Sequence, residues 1–81
     1  MEVYLSVEFE KDYRKIKDRS LRERIHKALV KLGQDPEAGK PLRYGYKGQR
    51  RLRVDPFRIM YSIEGGIIKI SCFEHREKAY R

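Results

Sequence analysis

The chain has 81 residues, enough for one domain and no second core. Its 20 Lys and Arg against 12 Asp and Glu give a net charge of +8, and Cys72 is the only cysteine, which excludes an internal disulfide. No apolar run reaches membrane-spanning length and the first residues do not resemble a secretory leader, so the expectation is a soluble protein of a reducing cytoplasm, with no membrane partner. A field of this size on so small a surface favours polyanions, although net charge alone is equally well read as a solubilising surface. Clustering decides between the two. From Lys40 to Arg58 there are seven basic residues and one acid, Asp55, whereas the first half mixes both signs. The absence of Asn and Thr beside abundant Lys, Arg and Glu is a thermophile tendency.

In chain order, Val3, Leu5 and Val7 alternate with Tyr4 and Ser6, which predicts a short strand. Phe9, Tyr13 and Ile16 follow at helical spacing, with Glu8 and Glu10 in a first turn where the helix dipole favours acids. Ser20-Leu21-Arg22-Glu23 has the form of a capping box, and Leu21, Ile25, Ala28, Leu29 and Leu32 make one apolar stripe that Gly33 is expected to end. The segment from Gln34 to Gln49, punctuated by Pro36, Gly39, Pro41, Gly45 and Gly48, reads as a loop with a short extended piece near Leu42.

From Arg51 the period becomes two. Leu52 and Val54 alternate with Arg51 and Arg53, and Asp55-Pro56 turns the chain. Phe57, Ile59, Tyr61 and Ile63 alternate with Arg58, Met60 and Ser62, and Glu64-Gly65-Gly66 turns it again. Ile68, Ile70 and Cys72 then alternate with Lys69, Ser71 and Phe73. The expected fold is α+β: an N-terminal strand, an antiparallel helical hairpin and a three-stranded antiparallel meander, assembled as one four-stranded sheet over residues 1–81.

Successive strand residues face opposite sides. If Leu52, Val54, Ile59, Tyr61, Ile68 and Ile70 pack on the helices, Arg51, Arg53, Arg58 and Lys69 share the other face. Like charges opposite one another destabilise a sheet, so this accumulation points to an anion. Cys72 is expected to be an inert core thiol, and Tyr61 a core ring with its hydroxyl at the rim.

The order strand, two helices, meander, together with Arg51-Leu52-Arg53-Val54, Phe57-Arg58-Ile59-Met60-Tyr61 and His75-Arg76-Glu77-Lys78-Ala79-Tyr80, resembles the RelE/ParE toxin superfamily over nearly the whole chain. The resemblance implies a β-α-α-β-β-β fold and the toxin half of a type II toxin–antitoxin system. It implies a ribosome-dependent mRNA endonuclease that needs no metal or other cofactor, its partners a cognate antitoxin, the ribosome and mRNA. In such a reaction the RNA 2′-hydroxyl attacks the adjacent phosphate, which calls for cations on the phosphate oxygens and groups that move two protons. Carried over by position, Arg51, Arg53, Arg58 and Arg76 form the phosphate clamp and Tyr80 supplies a terminal hydroxyl, with His75 as a proton shuttle beside them.

This chain departs from the family in one respect. Arginines stand where relatives carry lysines, and a guanidinium cannot take a proton, so the base falls to His75, Tyr80, Glu74 or no group at all. Arg43, Tyr44, Tyr46 and Lys47 interleave aromatic and basic residues, as stacking on unpaired bases would use, although loop tyrosines also pack over sheet edges. Lys69 completes the set expected to touch RNA. Singly, Arg51 and Arg53 are ordinary solvated strand residues, and Arg76 and Tyr80 could be a frayed tail; His26 reads as a surface histidine. One cysteine and two distant histidines exclude a structural zinc site, and no phosphate-binding loop or dinucleotide fingerprint is present. Two other functions share the fold: a gyrase-inhibiting toxin of the ParE branch, and a non-catalytic member that binds RNA, the ribosome or its antitoxin.

Overall fold

The computed structural model describes residues 1–42 and 48–75. Strand β1 (Glu2–Leu5) leads into helix α1 (Val7–Arg14) and then helix α2 (Arg19–Gln34). Strands β2 (Lys40–Pro41), β3 (Gln49–Val54), β4 (Phe57–Glu64) and β5 (Ile67–His75) complete a five-stranded sheet in the order β1-β5-β4-β3-β2. β1 lies parallel to β5 and every other pairing is antiparallel. The α+β class and element order are as expected. The sheet gains a fifth strand because the extended piece expected near Leu42 pairs Lys40 and Pro41 with Arg51 and Arg50.

Both helices begin on side-chain caps. Ser6 Oγ accepts from Phe9 N at 2.9 Å and donates to Ser71 O at 2.6 Å, so one hydroxyl starts α1 and ties it to β5. That cap turns Val7, expected on the strand, into the first helical residue, and Val7 is exposed. Helix α2 starts two residues before Ser20: Asp18 Oδ1 accepts from Leu21 N, leaving Ser20 inside the helix. A carboxylate at this cap also meets the positive end of the helix dipole. Gly33 does not end α2, which runs one residue further. Its carbonyl, among those left over at a helix C-terminus, accepts from the Met1 ammonium at 3.1 Å.

Leu21, Ile25, Ala28 and Leu32 are buried, and they pack with Phe9 of α1 against Val54, Ile59, Tyr61, Ile68 and Ile70 of the sheet. Arg22 joins the two helices. Its Nη1 donates to the carbonyls of Tyr13 and Ile16 at 3.1 and 3.2 Å, and its guanidinium lies 4.8 Å over the Tyr13 ring. The cation thereby occupies the carbonyl end of α1, where the dipole favours it.

Tyr61 is fully buried, hydroxyl included, rather than reaching a rim. The hydroxyl donates to Pro36 O at 2.7 Å and accepts from Gly39 N at 2.9 Å, fixing the segment between α2 and β2 from beneath. Arg50 Nη1 holds the carbonyl of the same Gly39 at 2.8 Å. A Cβ at position 39 would lie 2.6 Å from both the Tyr61 hydroxyl and the Arg51 carbonyl, so only glycine permits this approach.

The register of β5 contains an irregularity that reorders its faces. Tyr61 pairs with Ile70, but Met60 pairs with Cys72, so Ser71 is the extra residue of a bulge. Beyond it Phe73, not Cys72, points to the core. Its ring packs edge-on against Phe9 and Phe57, each at a centroid distance of 5.3 Å. The expected alternation through Cys72 is reversed there because an aromatic ring gains more from the apolar side than a thiol does.

Tyr61→Phe removes a buried hydroxyl and leaves the Gly39 N–H and Pro36 C=O facing an apolar ring edge. The expected loss is about 1–3 kcal/mol, read from urea unfolding. Burial raises the Tyr61 pKa in the fold above its ordinary value. Its neutral form therefore contributes stability that is present below about pH 10 and lost as pH rises through the folded value. The variant should lack this alkaline decline.

Candidate nucleic-acid interface

The face of the sheet turned away from the helices is built in rows that cross three strands. One row is Arg53 of β3, Arg58 of β4 and Glu74 of β5. The next is Arg51, Met60 and Cys72, and a third runs from Gln49 through Ser62 to Lys69. The third row ends on Tyr4 of β1. Residues directly opposite in an antiparallel pair project to the same side, so Arg51, Arg53 and Arg58 share this face as the sequence parity requires.

Arg53 and Arg58 face each other across β3 and β4, a repulsive arrangement near the tight turn at Asp55-Pro56. The turn supplies part of the compensation. Asp55 Oδ1 accepts from Arg53 Nε at 2.9 Å, with both side chains more than half exposed. Arg24 of α2 donates to the Asp55 carbonyl, tying the turn to the helix layer. An exposed pair of this kind adds at most about 1 kcal/mol, so its main effect is to orient the Arg53 guanidinium. Arg58 is half-buried with its Nε wholly covered, on the central strand of the sheet. Coverage of Nε limits the freedom of this guanidinium relative to an exposed one.

Lys69 stands apart from these arginines. It is level with Ser62, four residues along β4 from Arg58, or about 13 Å away at the rise of a strand. Its Nζ lies 3.7 Å from Glu64 Oε2, and the same carboxylate oxygen accepts from Ser62 Oγ. Lys69 is thus on the expected face but outside the arginine cluster.

His75 is placed differently from expectation. The bulge at Ser71 inverts the parity of the strand end, so His75 pairs with Phe57 on the helix-facing side, its ring edge-on at 5.3 Å. It borders a shallow cleft with Asp12, Phe57, Phe73 and Glu74 at the outer edge of β5. Glu74 takes the position opposite Arg58 instead. The sequence carried a signal for this exchange: after Ile68 and Ile70, Ser71 and Cys72 are both small and Phe73 is the next large apolar side chain, a spacing of three where alternation demands two.

Cys72 is half-buried on the arginine face, with Glu74 Oε1 at the limit of contact with its Sγ, 4.0 Å. Burial, with the carboxylates of Glu74, Glu8 and Asp12, pushes the thiol up from its ordinary pKa. Arg43, Tyr44, Tyr46, Lys47, Arg76 and Tyr80 lie outside the described residues. Among the described residues, no group of three or more His, Cys, Asp or Glu is arranged to hold a metal ion, and no helix is long and apolar enough to cross a membrane.

The same α+β fold occurs in toxins of known structure. The model of the family described as the ParE toxin of type II toxin–antitoxin system, parDE, matches residues 3–80, and the chain belongs to that family, within the RelE/ParE toxin superfamily. Among solved structures it is similar to a chain of the RelBE2 toxin–antitoxin complex from Mycobacterium tuberculosis, with 27% identity over 93% of this chain and 96% of that one, TM-score 0.77. It shares its fold with the isolated RelE toxin from E. coli, at 22% identity over 98% and 89% of the two chains, TM-score 0.77. The same holds for YoeB from Staphylococcus aureus, solved as a dimer, at 21% identity over 93% and 97%, TM-score 0.76. No match is found among curated protein sequences.

The raised thiol pKa has a direct consequence. At pH 8, Cys72 in the folded protein should be alkylated more slowly by iodoacetamide than in urea, followed by mass spectrometry, because less of it is thiolate. Equal rates would show that the carboxylates and burial do not act on it.

Proposed function

We propose that the protein is a type II toxin acting as a metal-independent endoribonuclease on mRNA at the ribosome in the cytoplasm, and that a cognate antitoxin holds it in check. The observation that carries this reading is the cluster of Arg51, Arg53 and Arg58 on one open face, with Arg53 and Arg58 directly opposed. A phosphodiester passing to a pentacoordinate transition state gathers negative charge on its non-bridging oxygens, and guanidiniums fixed in advance stabilise it without reorganising. The half-buried Arg58 is the central member of the clamp, and Arg51 and Arg53 flank it from β3. Arg76 and Tyr80 join the site from the C-terminal segment in this reading, as the superfamily pattern implies. Lys69, at the far end of the face, guides the RNA backbone rather than touching the reacting phosphate. In this reading Arg43, Tyr44, Tyr46 and Lys47, which precede β3 in the chain, supply base-stacking and phosphate contacts. His75, on the helix-facing side of β5, takes a smaller part than the arginines.

The antitoxin follows from the company the fold keeps. Toxin–antitoxin complexes from Mycobacterium tuberculosis, E. coli and Methanococcus jannaschii are among the structures this chain resembles. An acidic partner that covers the cationic face would relieve the Arg53–Arg58 repulsion and block RNA in one step.

One observation favours a second reading: the matching family model is that of the ParE toxin. A gyrase-inhibiting toxin would bind a protein and would have no use for a phosphate clamp. Purified toxin added to translating ribosomes on a defined mRNA, with primer extension of the product, separates the two. The wild type should produce new 5′ ends within the translated region, and Arg58→Ala should lower the rate about 100-fold or more with its melting curve retained. No new ends, together with loss of gyrase supercoiling activity, would establish the second reading.

A further inference from the structure

The arginines of the face can hold a phosphate, but none of them can take a proton from a ribose hydroxyl. An endonuclease that uses the 2′-oxygen as nucleophile needs an acceptor near that clamp. Among the described residues, the groups that could serve are few once the strands are in register. Tyr61 is under the sheet, with its hydroxyl held by Pro36 and Gly39. Lys69 is at the opposite end of the face, beside Glu64. His75 is turned to the helix side against Phe57. Asp55 is drawn to Arg53 Nε.

Glu74 meets each requirement. It sits directly across from Arg58, on the arginine face, in the row that also holds Arg53. It is exposed, and among the described residues it is in no ion pair. Opposed residues of an antiparallel pair have Cβ atoms about 5 Å apart, so a phosphate on Arg58 would bring its neighbouring ribose within reach of this carboxylate.

Resting on the reading of the protein as an RNA-cleaving toxin, we propose that Glu74 is its general base, a catalytic residue that removes the proton from the attacking 2′-hydroxyl. The O2′–P bond forms as the P–O5′ bond breaks with its electron pair passing to O5′. The 2′ proton moves to the Glu74 carboxylate and from there to solvent, and the leaving 5′-oxygen takes a proton from water. The products are a 2′,3′-cyclic phosphate and a 5′-hydroxyl, so atoms and charge balance without a metal or redox partner. The bulge at Ser71 is what brings this about, because an unbroken register would have placed Phe73 opposite Arg58 and turned Glu74 inward.

A purely electrostatic role, in which Glu74 offsets the opposed arginines, would influence binding and stability but not proton transfer in the chemical step. The test is single-turnover cleavage of a defined mRNA on programmed ribosomes by the full chain, in H2O and in D2O. Measurements on Glu74→Gln, Glu74→Asp and Tyr80→Phe accompany it, each with a melting curve and a ribosome-pelleting assay. A general base predicts that Glu74→Gln cleaves about 100-fold more slowly with binding changed less than about threefold, and that Glu74→Asp recovers part of the rate. The solvent isotope effect on the wild-type rate should be absent from the residual activity of Glu74→Gln. Cleavage by Glu74→Gln within threefold of wild type, or loss of the isotope effect in Tyr80→Phe instead, overturns the assignment. If the wild type makes no cut, the nuclease reading itself fails, and the assignment with it.

Discussion

The central strand β4 is paired along both edges, and the faces of the whole sheet follow from its alternation. Ile59 and Tyr61 turn inward with no exposed surface, and their burial against Phe9, Ile25 and Leu32 fixes which side of every neighbouring strand is core. A slip of one residue in either ladder would carry isoleucines into water and arginines into the core, at a cost of several kcal/mol for each buried charge. The positions of Arg51, Arg53 and Arg58 on the open face are therefore a consequence of hydrophobic packing on the opposite one. Tyr61 extends this control past the sheet: its hydroxyl fixes the approach to β2, and β2 in turn pairs with the part of β3 that carries Arg51.

Against that packing the face bears an electrostatic cost. Arg53 and Arg58 oppose each other, and the compensation is built from short local devices. Asp55 draws Arg53 from within the turn, Arg24 anchors that turn, and Glu74 faces Arg58 from β5. Each is solvent-exposed and modest in strength. Under the proposed function, RNA phosphates would add to these partners and release counterions. The helix layer carries the core on the opposite face.

Much of this was legible beforehand because periodicity is a local property. The strands at Leu52–Val54 and Phe57–Ile63, the apolar stripe of α2 and the sharing of one face by the three arginines all follow from residue spacing and the geometry of the backbone. The helix boundaries are less legible in the sequence. Asp18 and Ser20 are both competent caps, and the choice between them depends on where α1 releases the chain, with Arg22 drawn to the carbonyls of Tyr13 and Ile16. Gly33 could end a helix, yet it remained helical once its carbonyl found the Met1 ammonium.

The sequence by itself determined the class of fold, the sidedness of the sheet and the basic character of its open face, since each depends on neighbours two to four residues apart. The tertiary structure alone decided the fifth strand, the separation of Lys69 from the arginines and the presence of Glu74 rather than His75 on the arginine face. The physical reason is that a bulge is a compromise between distant parts. Phe73 reaches Phe9 and Phe57 only if Ser71 leaves the ladder, and that gain comes from side chains 64 and 16 positions away in the chain. The spacing from Ile70 to Phe73 marks where alternation fails, but no window of sequence along β5 contains the partners that settle which residue leaves the ladder.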